Sequence, residues 1–161
     1  MNKGKFLRLK KDKKIYFRTY VDNYYCFLKK KKKEGFSQVI IPSNCLLKIL
    51  NDRFIEFNSF KIKKIEFETE DEELKREIEK NITSVNDNSR LIVKLNDFLN
   101  EIIYGESIEI KGINYSYRNQ EKKLIDIILY NTGYMEFSGP SKDIKNEIKI
   151  LIKIITKFKG E

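Results

Sequence analysis

The chain of 161 residues has no histidine, no tryptophan and no alanine, and only two cysteines and two prolines. Without histidine, every Ser-His-Asp, Cys-His and His-ligated metal scheme is excluded, and these are the commonest routes to acid-base or hydrolytic chemistry near neutral pH. Cys26 and Cys45 are too few for a disulfide framework, and too few for a zinc site without other soft ligands. Both read as small core residues kept reduced. No apolar run approaches the roughly 20 residues that span a bilayer. The basic stretch Met1 to Lys14 is not followed by the apolar segment of a signal peptide, so a soluble, cytoplasmic protein is expected. The seven glycines are scattered and form no Walker-type or dinucleotide pattern.

What is abundant is charge, segmented along the chain. Residues 1–65 carry 18 Lys/Arg against 5 Asp/Glu, a net +13; residues 66–110 carry 5 against 13, a net −8; residues 111–161 carry 10 against 6, a net +4. A basic first third seeks polyanions, whether nucleic acid, an acidic protein surface or anionic lipid. Part of the lysine excess, alongside Ile and Asn, also fits a strongly AT-biased gene.

Short β-branched and aromatic segments at 5–10, 14–21, 24–31 and 36–41 read as a four-stranded meander, with turns at Lys11-Asp12-Lys13, Asp22-Asn23 and Glu34-Gly35. Pro42-Ser43-Asn44 opens a helix at 43–53. A strand at 60–69 follows, then a helix at 71–81 with acidic residues in its first turn, a turn at Ser84 to Ser89, and a helix at 89–104 ended by Gly105. Strands at 107–118, 123–131 and 134–138, with hairpin turns at Arg118 to Lys122 and Asn131-Thr132-Gly133, lead to a closing amphipathic helix at 141–158. The expected class is α+β: antiparallel β-sheets with helices packed on one face. The two sheet-then-helix halves, a basic β-meander plus helix at 1–57 and a strand-helix-strands-helix unit at 58–161, either share a core or form two small domains.

The sharpest binding signal is Lys14-Ile15-Tyr16-Phe17-Arg18-Thr19-Tyr20-Val21. Strand alternation turns Ile15, Phe17, Thr19 and Val21 inward and Lys14, Tyr16, Arg18 and Tyr20 outward. The next segment repeats this with Tyr25, Phe27, Lys29 and Lys31 outward and Tyr24, Cys26 and Leu28 inward. Rings for base stacking set among phosphate-binding cations describe a single-strand binder, with stacking worth about 1–3 kcal/mol per base. The plainer reading is an ordinary solvated antiparallel face, and both stay open. The five lysines Lys29 to Lys33 raise the field without specifying a ligand. The acidic helix Glu70 to Glu79 reads as a solvated helix, or as a shield over the basic face that a polyanion displaces. Asp97 with Glu109-Ile110-Lys111 matches the acidic-x-Lys element of metal-dependent nucleases. The same spacing at Glu73/Lys75, Glu121/Lys123 and Glu147/Lys149 deprives it of specificity.

Residues 112–159 resemble the second part of a TATA-binding-protein repeat. The stretch Gly112-Ile113-Asn114-Tyr115, a hairpin, then Ile127-Ile128-Leu129-Tyr130-Asn131-Thr132-Gly133-Tyr134-Met135-Glu136-Phe137-Ser138-Gly139 and a long helix matches its glycine spacing. In that family the sheet's concave face binds the DNA minor groove and inserts aromatic wedges. The resemblance implies a wedge role for Tyr130 and groove-facing positions for Tyr134, Glu136 and Ser138. Glu136 and Ile110 depart from the family's apolar and aromatic residues there. The first half is similar in pattern to the strand-strand-strand-strand-helix units of PUR/PC4-type single-strand binders.

The expectation is therefore a non-catalytic nucleic-acid-binding protein, a DNA-binding or single-strand-binding regulator. Lys14, Tyr16, Arg18, Tyr20, Tyr25, Lys29 and Lys31 would make the contacts, together with Tyr130 and Tyr134 from the resemblance. The alternative is an interaction or inhibitor module whose basic face docks an acidic protein. No cofactor, metal or membrane is expected, and homodimerisation is left open.

Overall fold

Strict alternation in the C-terminal strands decides which face of the sheet is buried. Ile125, Ile127 and Leu129 are buried, as are Met135 and Phe137, while Asp126, Ile128, Tyr130, Tyr134, Glu136 and Ser138 are half-exposed on the other side. The computed structural model describes residues 1–56 and 58–159. In chain order the elements are β1 (Asn2–Leu9), β2 (Ile15–Thr19), α1 (Tyr24–Lys33), β3 (Phe36–Gln38), α2 (Ser43–Glu56), β4 (Lys61–Phe67) and α3 (Glu72–Asp87). A 3-10 turn (Ser89–Leu91), α4 (Ile92–Asn100), a π-helical turn (Glu101–Gly105), β5 (Ile110–Arg118), β6 (Leu124–Tyr130), β7 (Tyr134–Ser138) and α5 (Ser141–Lys159) complete it.

The fold is α+β. Seven antiparallel strands form one sheet in the order β2-β1-β7-β6-β5-β4, with β3 paired to the second half of β1. β1 joins the two halves of the chain, pairing Asn2 with Phe137 and Lys5 with Tyr134. One core takes Phe6 from β1, Ile113 and Tyr115 from β5, the C-terminal strands, and the apolar stripes of α2 to α5. A second, smaller core of Leu7, Tyr20, Phe27 and Phe36 lies on the opposite face, where α1 covers β1 and β2.

The main departure from the sequence reading is at 24–31, which is helix rather than strand. Asn23 is an N-cap, its Oδ1 accepting from the N–H groups of Tyr25 (2.9 Å) and Cys26 (3.3 Å). Gly35, at φ +91°, follows the C-cap Glu34, and Lys30 to Lys33 occupy the last turn, where the dipole favours cations. Tyr24, Phe27, Leu28 and Lys31 are the shielded positions, a helical spacing that the alternating reading overlooked. Cys26 is consequently exposed, not core, whereas Cys45 is buried.

Smaller differences have local causes. The 36–41 strand shortens to Phe36–Gln38. α3 runs to Asp87 because Leu74, Ile78, Ile82 and Val85 continue its buried stripe through the expected turn. The 89–104 helix divides into three pieces that still bury Leu95, Leu99 and Ile102. The helix at the second half's end, the hairpins and the strands at 60–69 and 107–138 form as expected within a few residues. No helix among the described residues is long and apolar enough to cross a membrane.

Candidate nucleic-acid interface

The hairpin joining β1 to β2 and the C-terminal end of α1 meet at one end of the molecule. Leu9 pairs with Phe36, and the Lys10 N–H donates to the Gly35 carbonyl at 3.0 Å, so the hairpin tip lies beside the last turn of α1. Lys10, Lys11, Lys13 and Lys14 on the tip, and Lys29, Lys30, Lys32 and Lys33 on the helix, are exposed. The two acids in this region are already engaged. Asp12 accepts from the Tyr16 hydroxyl (2.5 Å) and the Lys14 N–H (2.9 Å), which hold its carboxyl below the usual range. Glu34 pairs with Lys31 at 2.9 Å, and that hydrogen bond lowers its pKa as well. Glu34 is paired with Lys31, and Asp12, held ionised by neutral donors, stands against eight exposed lysines, so this end keeps a strongly positive field toward solvent.

Beside this basic end, rings and cations interleave on the face that α1 covers. Arg18 stacks over Tyr16 (5.0 Å) and Phe36 (5.6 Å), Lys31 over Phe36 (5.8 Å), and Lys3 over Tyr20 (5.0 Å). Tyr20 stacks on Phe27 at 4.4 Å, and its neighbours Tyr24 and Tyr134 lie 5.9 and 6.5 Å away. Tyr130 lies 5.6 Å from Tyr134 and rests over Gly112, where a Cβ would come within 3.0 Å of its ring. Lys5 is wholly buried here, donating to the Tyr24 hydroxyl (3.0 Å) and the Thr132 carbonyl (2.7 Å). Tyr134 donates to Glu136 at 2.9 Å; burial first, and then this carboxylate, push its pKa well above the ordinary tyrosine value.

The sequence-predicted residues thus come together, but not as an open stacking platform. Tyr16, Arg18, Tyr20, Tyr130 and Tyr134 belong to one aromatic network linking β2, α1, β6 and β7. Tyr20 is a correction: it lies past the end of β2 and turns under α1 onto Phe27, while Val21, expected inward, is 93% exposed. Tyr25, Lys29 and Lys31 are helical rather than strand residues, so they do not alternate with β2. Tyr25 is the one with an available ring, at 79% exposure. Lys14 stands at the hairpin tip among the cations, and Tyr130, Tyr134, Glu136 and Ser138 share one sheet face. The acidic helix does not shield the basic end: α3 packs along β4, at the opposite edge of the sheet from β2.

Sequence reasoning missed a second polar cluster, buried in the main core. Glu147 on α5 is fully buried and accepts from Arg53 Nε (2.9 Å) and Nη2 (2.7 Å) and from the hydroxyls of Tyr115 (2.5 Å) and Tyr117 (2.7 Å). Burial opposes the Arg53 charge, but hydrogen bonding and attraction from Glu147 outweigh it and raise its pKa further. Burial, then Glu147, raises both tyrosines. With four donors on one carboxylate, its acceptor capacity is filled from within, and the cluster clamps α2, β5 and α5 together. The only sequence signal was a charged residue, Glu147, in line with Ile144 and Leu151 on the apolar stripe of α5. Asp97 is exposed on α4 and Lys111 pairs with Glu68 at 3.6 Å, while no group of three potential ligands is placed to hold a metal among the described residues.

No protein-family model, curated protein or solved structure matches this chain.

Proposed function

We propose that this is a non-catalytic nucleic-acid-binding protein, a cytoplasmic regulator that grips the phosphate backbone with its basic end. The observation that carries the reading is the meeting of the β1–β2 hairpin tip with the lysine-rich end of α1, which gathers cations from two chain segments into one patch. Phosphate contact supplies most of the affinity and base stacking little, because Tyr20 is buried and Arg18 lies over the Tyr16 ring, which leaves Tyr25 as the exposed ring among these tyrosines. The resemblance to a TATA-binding repeat adds Tyr130 and Tyr134 to the reading, but their face is covered by α1, so the basic end rather than this face carries the proposed contact.

Fluorescence-polarisation titrations of single- and double-stranded oligonucleotides across salt test the proposal. Log affinity should fall linearly with log salt, with a slope of about −0.7 per neutralised phosphate for single strands and about −0.9 for duplex. Changing Lys11 and Lys32 to glutamine together should flatten the slope by about 2 × 0.7 to 2 × 0.9. Negligible affinity even at low salt would sink the proposal and leave an acidic protein surface as the partner that the same charges fit.

A further inference from the structure

The two edges of the sheet differ in what they leave unpaired. On β4, Asn86 closes Ile62 by accepting from its N–H (3.0 Å) and donating to its carbonyl (2.7 Å), the Thr69 N–H occupies the Phe67 carbonyl (2.9 Å), and two register shifts break the ladder. On β2, no strand among the described residues pairs with the edge away from β1. The Tyr20 N–H bonds to the Lys3 carbonyl and the Leu9 N–H to the Lys14 carbonyl, so the even-numbered residues 14 to 20 turn their backbones toward β1. By alternation Ile15, Phe17 and Thr19 turn theirs outward. The Phe17 carbonyl accepts from its neighbour's Arg18 Nη1, at 3.2 Å, rather than from a backbone N–H of another described strand.

We propose that β2 pairs antiparallel with β2 of a second copy about a two-fold axis at Phe17. The strand is self-complementary in that register. Within the strand Phe17 meets Phe17, Ile15 meets Thr19 and Tyr16 meets Arg18, so the strand's cation faces an aromatic ring and not a cation. Each outward pair exchanges two backbone hydrogen bonds. Arg18 already lies over Tyr16 within one chain at 5.0 Å and can serve the Tyr16 opposite equally well. The isologous arrangement joins two sheets into one and places the two basic hairpin tips at opposite ends of the junction. Such an edge contact is small, and each chain carries a net charge of +9, so the dimer is weak and is opposed by long-range repulsion.

That repulsion sets the sign of the test. Sedimentation velocity at protein concentrations up to about 0.2 mM should show more dimer at about 1 M salt, where the Debye length is about 3 Å, than at about 0.1 M, where it is about 10 Å. Oligonucleotide affinity changes in the opposite direction with salt, so either reading can fail while the other stands. Thr19→Pro removes an outward N–H that no strand among the described residues uses, and should give a folded monomer by circular dichroism. Tyr16→Lys sets cations opposite one another and should also abolish the dimer. Nitroxide labels on Thr19→Cys, with exposed Cys26 changed to serine, should lie about 14 Å apart, the rise of four strand residues. A monomer at both salts, association that strengthens at low salt, or a dimer indifferent to Thr19→Pro would overturn the proposal.

Discussion

Replacing Glu147 by glutamine keeps the shape of the side chain and changes only its charge and one acceptor. One carboxylate oxygen accepts from Arg53 Nη2 and Tyr117, the other from Arg53 Nε and Tyr115. Whichever position the new amide nitrogen takes, one guanidinium N–H and one tyrosine hydroxyl face a donor instead of an acceptor. A hydrogen bond to a charged group is worth about 1.5–3 kcal/mol, and stranding a buried hydroxyl costs about 1–3 kcal/mol. Arg53 is 1% exposed, and its ion pair with Glu56 is to a solvent-facing carboxylate. Together these give a loss of about 3–5 kcal/mol, the range for breaking a buried ion pair from one side, against a total stability of about 5–15 kcal/mol. Urea unfolding followed by circular dichroism should show the midpoint falling by about 2 M at a typical slope of about 2 kcal/mol per M. Removing the whole cluster with Arg53→Met, Glu147→Leu, Tyr115→Phe and Tyr117→Phe should recover most of the loss, since no charge is then stranded. A Glu147→Gln midpoint within about 0.5 M of the parent would refute the enclosed-carboxylate argument. A quadruple variant as unstable as the single one would show that shape, not charge, holds the three elements together.

The same tyrosines predict alkaline sensitivity. Their folded pKa values are raised by burial, so their contribution is fully present below the unfolded value of about 10 and is lost above it, as the unfolded chain releases protons that Tyr115 and Tyr117 retain. Stability measured between about pH 9 and 11 should decline by up to about 1.4 kcal/mol per pH unit for each of the two, and a flat profile would contradict their enclosure. Gly133→Ala should destabilise by about 1–3 kcal/mol. The residue sits at φ +82°, and an added Cβ would meet the carbonyl oxygens of Val39 at 3.0 Å and Phe6 at 3.1 Å, so a change below about 0.5 kcal/mol in chemical denaturation would be inconsistent with that packing.

Local signals were enough wherever one interaction range decided the outcome. The C-terminal half was legible because alternation, the two hairpin turns and the apolar stripe of α5 agree with one another. The helix at 24–33 was misread because tyrosine and phenylalanine favour strands on propensity, whereas the cap at Asn23, the straight-chain lysines and Gly35 favour helix, and burial is needed only at the spacing of Phe27 and Leu28. Of the candidate site, the residue types were legible and their exposure was not. Tyr20 is outward by alternation, yet the strand ends one residue earlier and the ring turns in beneath α1.

The amino-acid order by itself determined the α+β class, the exclusion of histidine chemistry and the segmentation of charge, because each follows from composition or from periodicity within a few residues. Tertiary structure alone decided that β1 would stand beside β7, that hairpin and helix lysines would share one end while the acidic helix took the far edge, and that Glu147 would find Arg53 ninety-four positions away. Those outcomes depend on which distant groups share a desolvated neighbourhood, and the cost of leaving a charge or a strand edge unsatisfied is set by the whole fold rather than by any one segment.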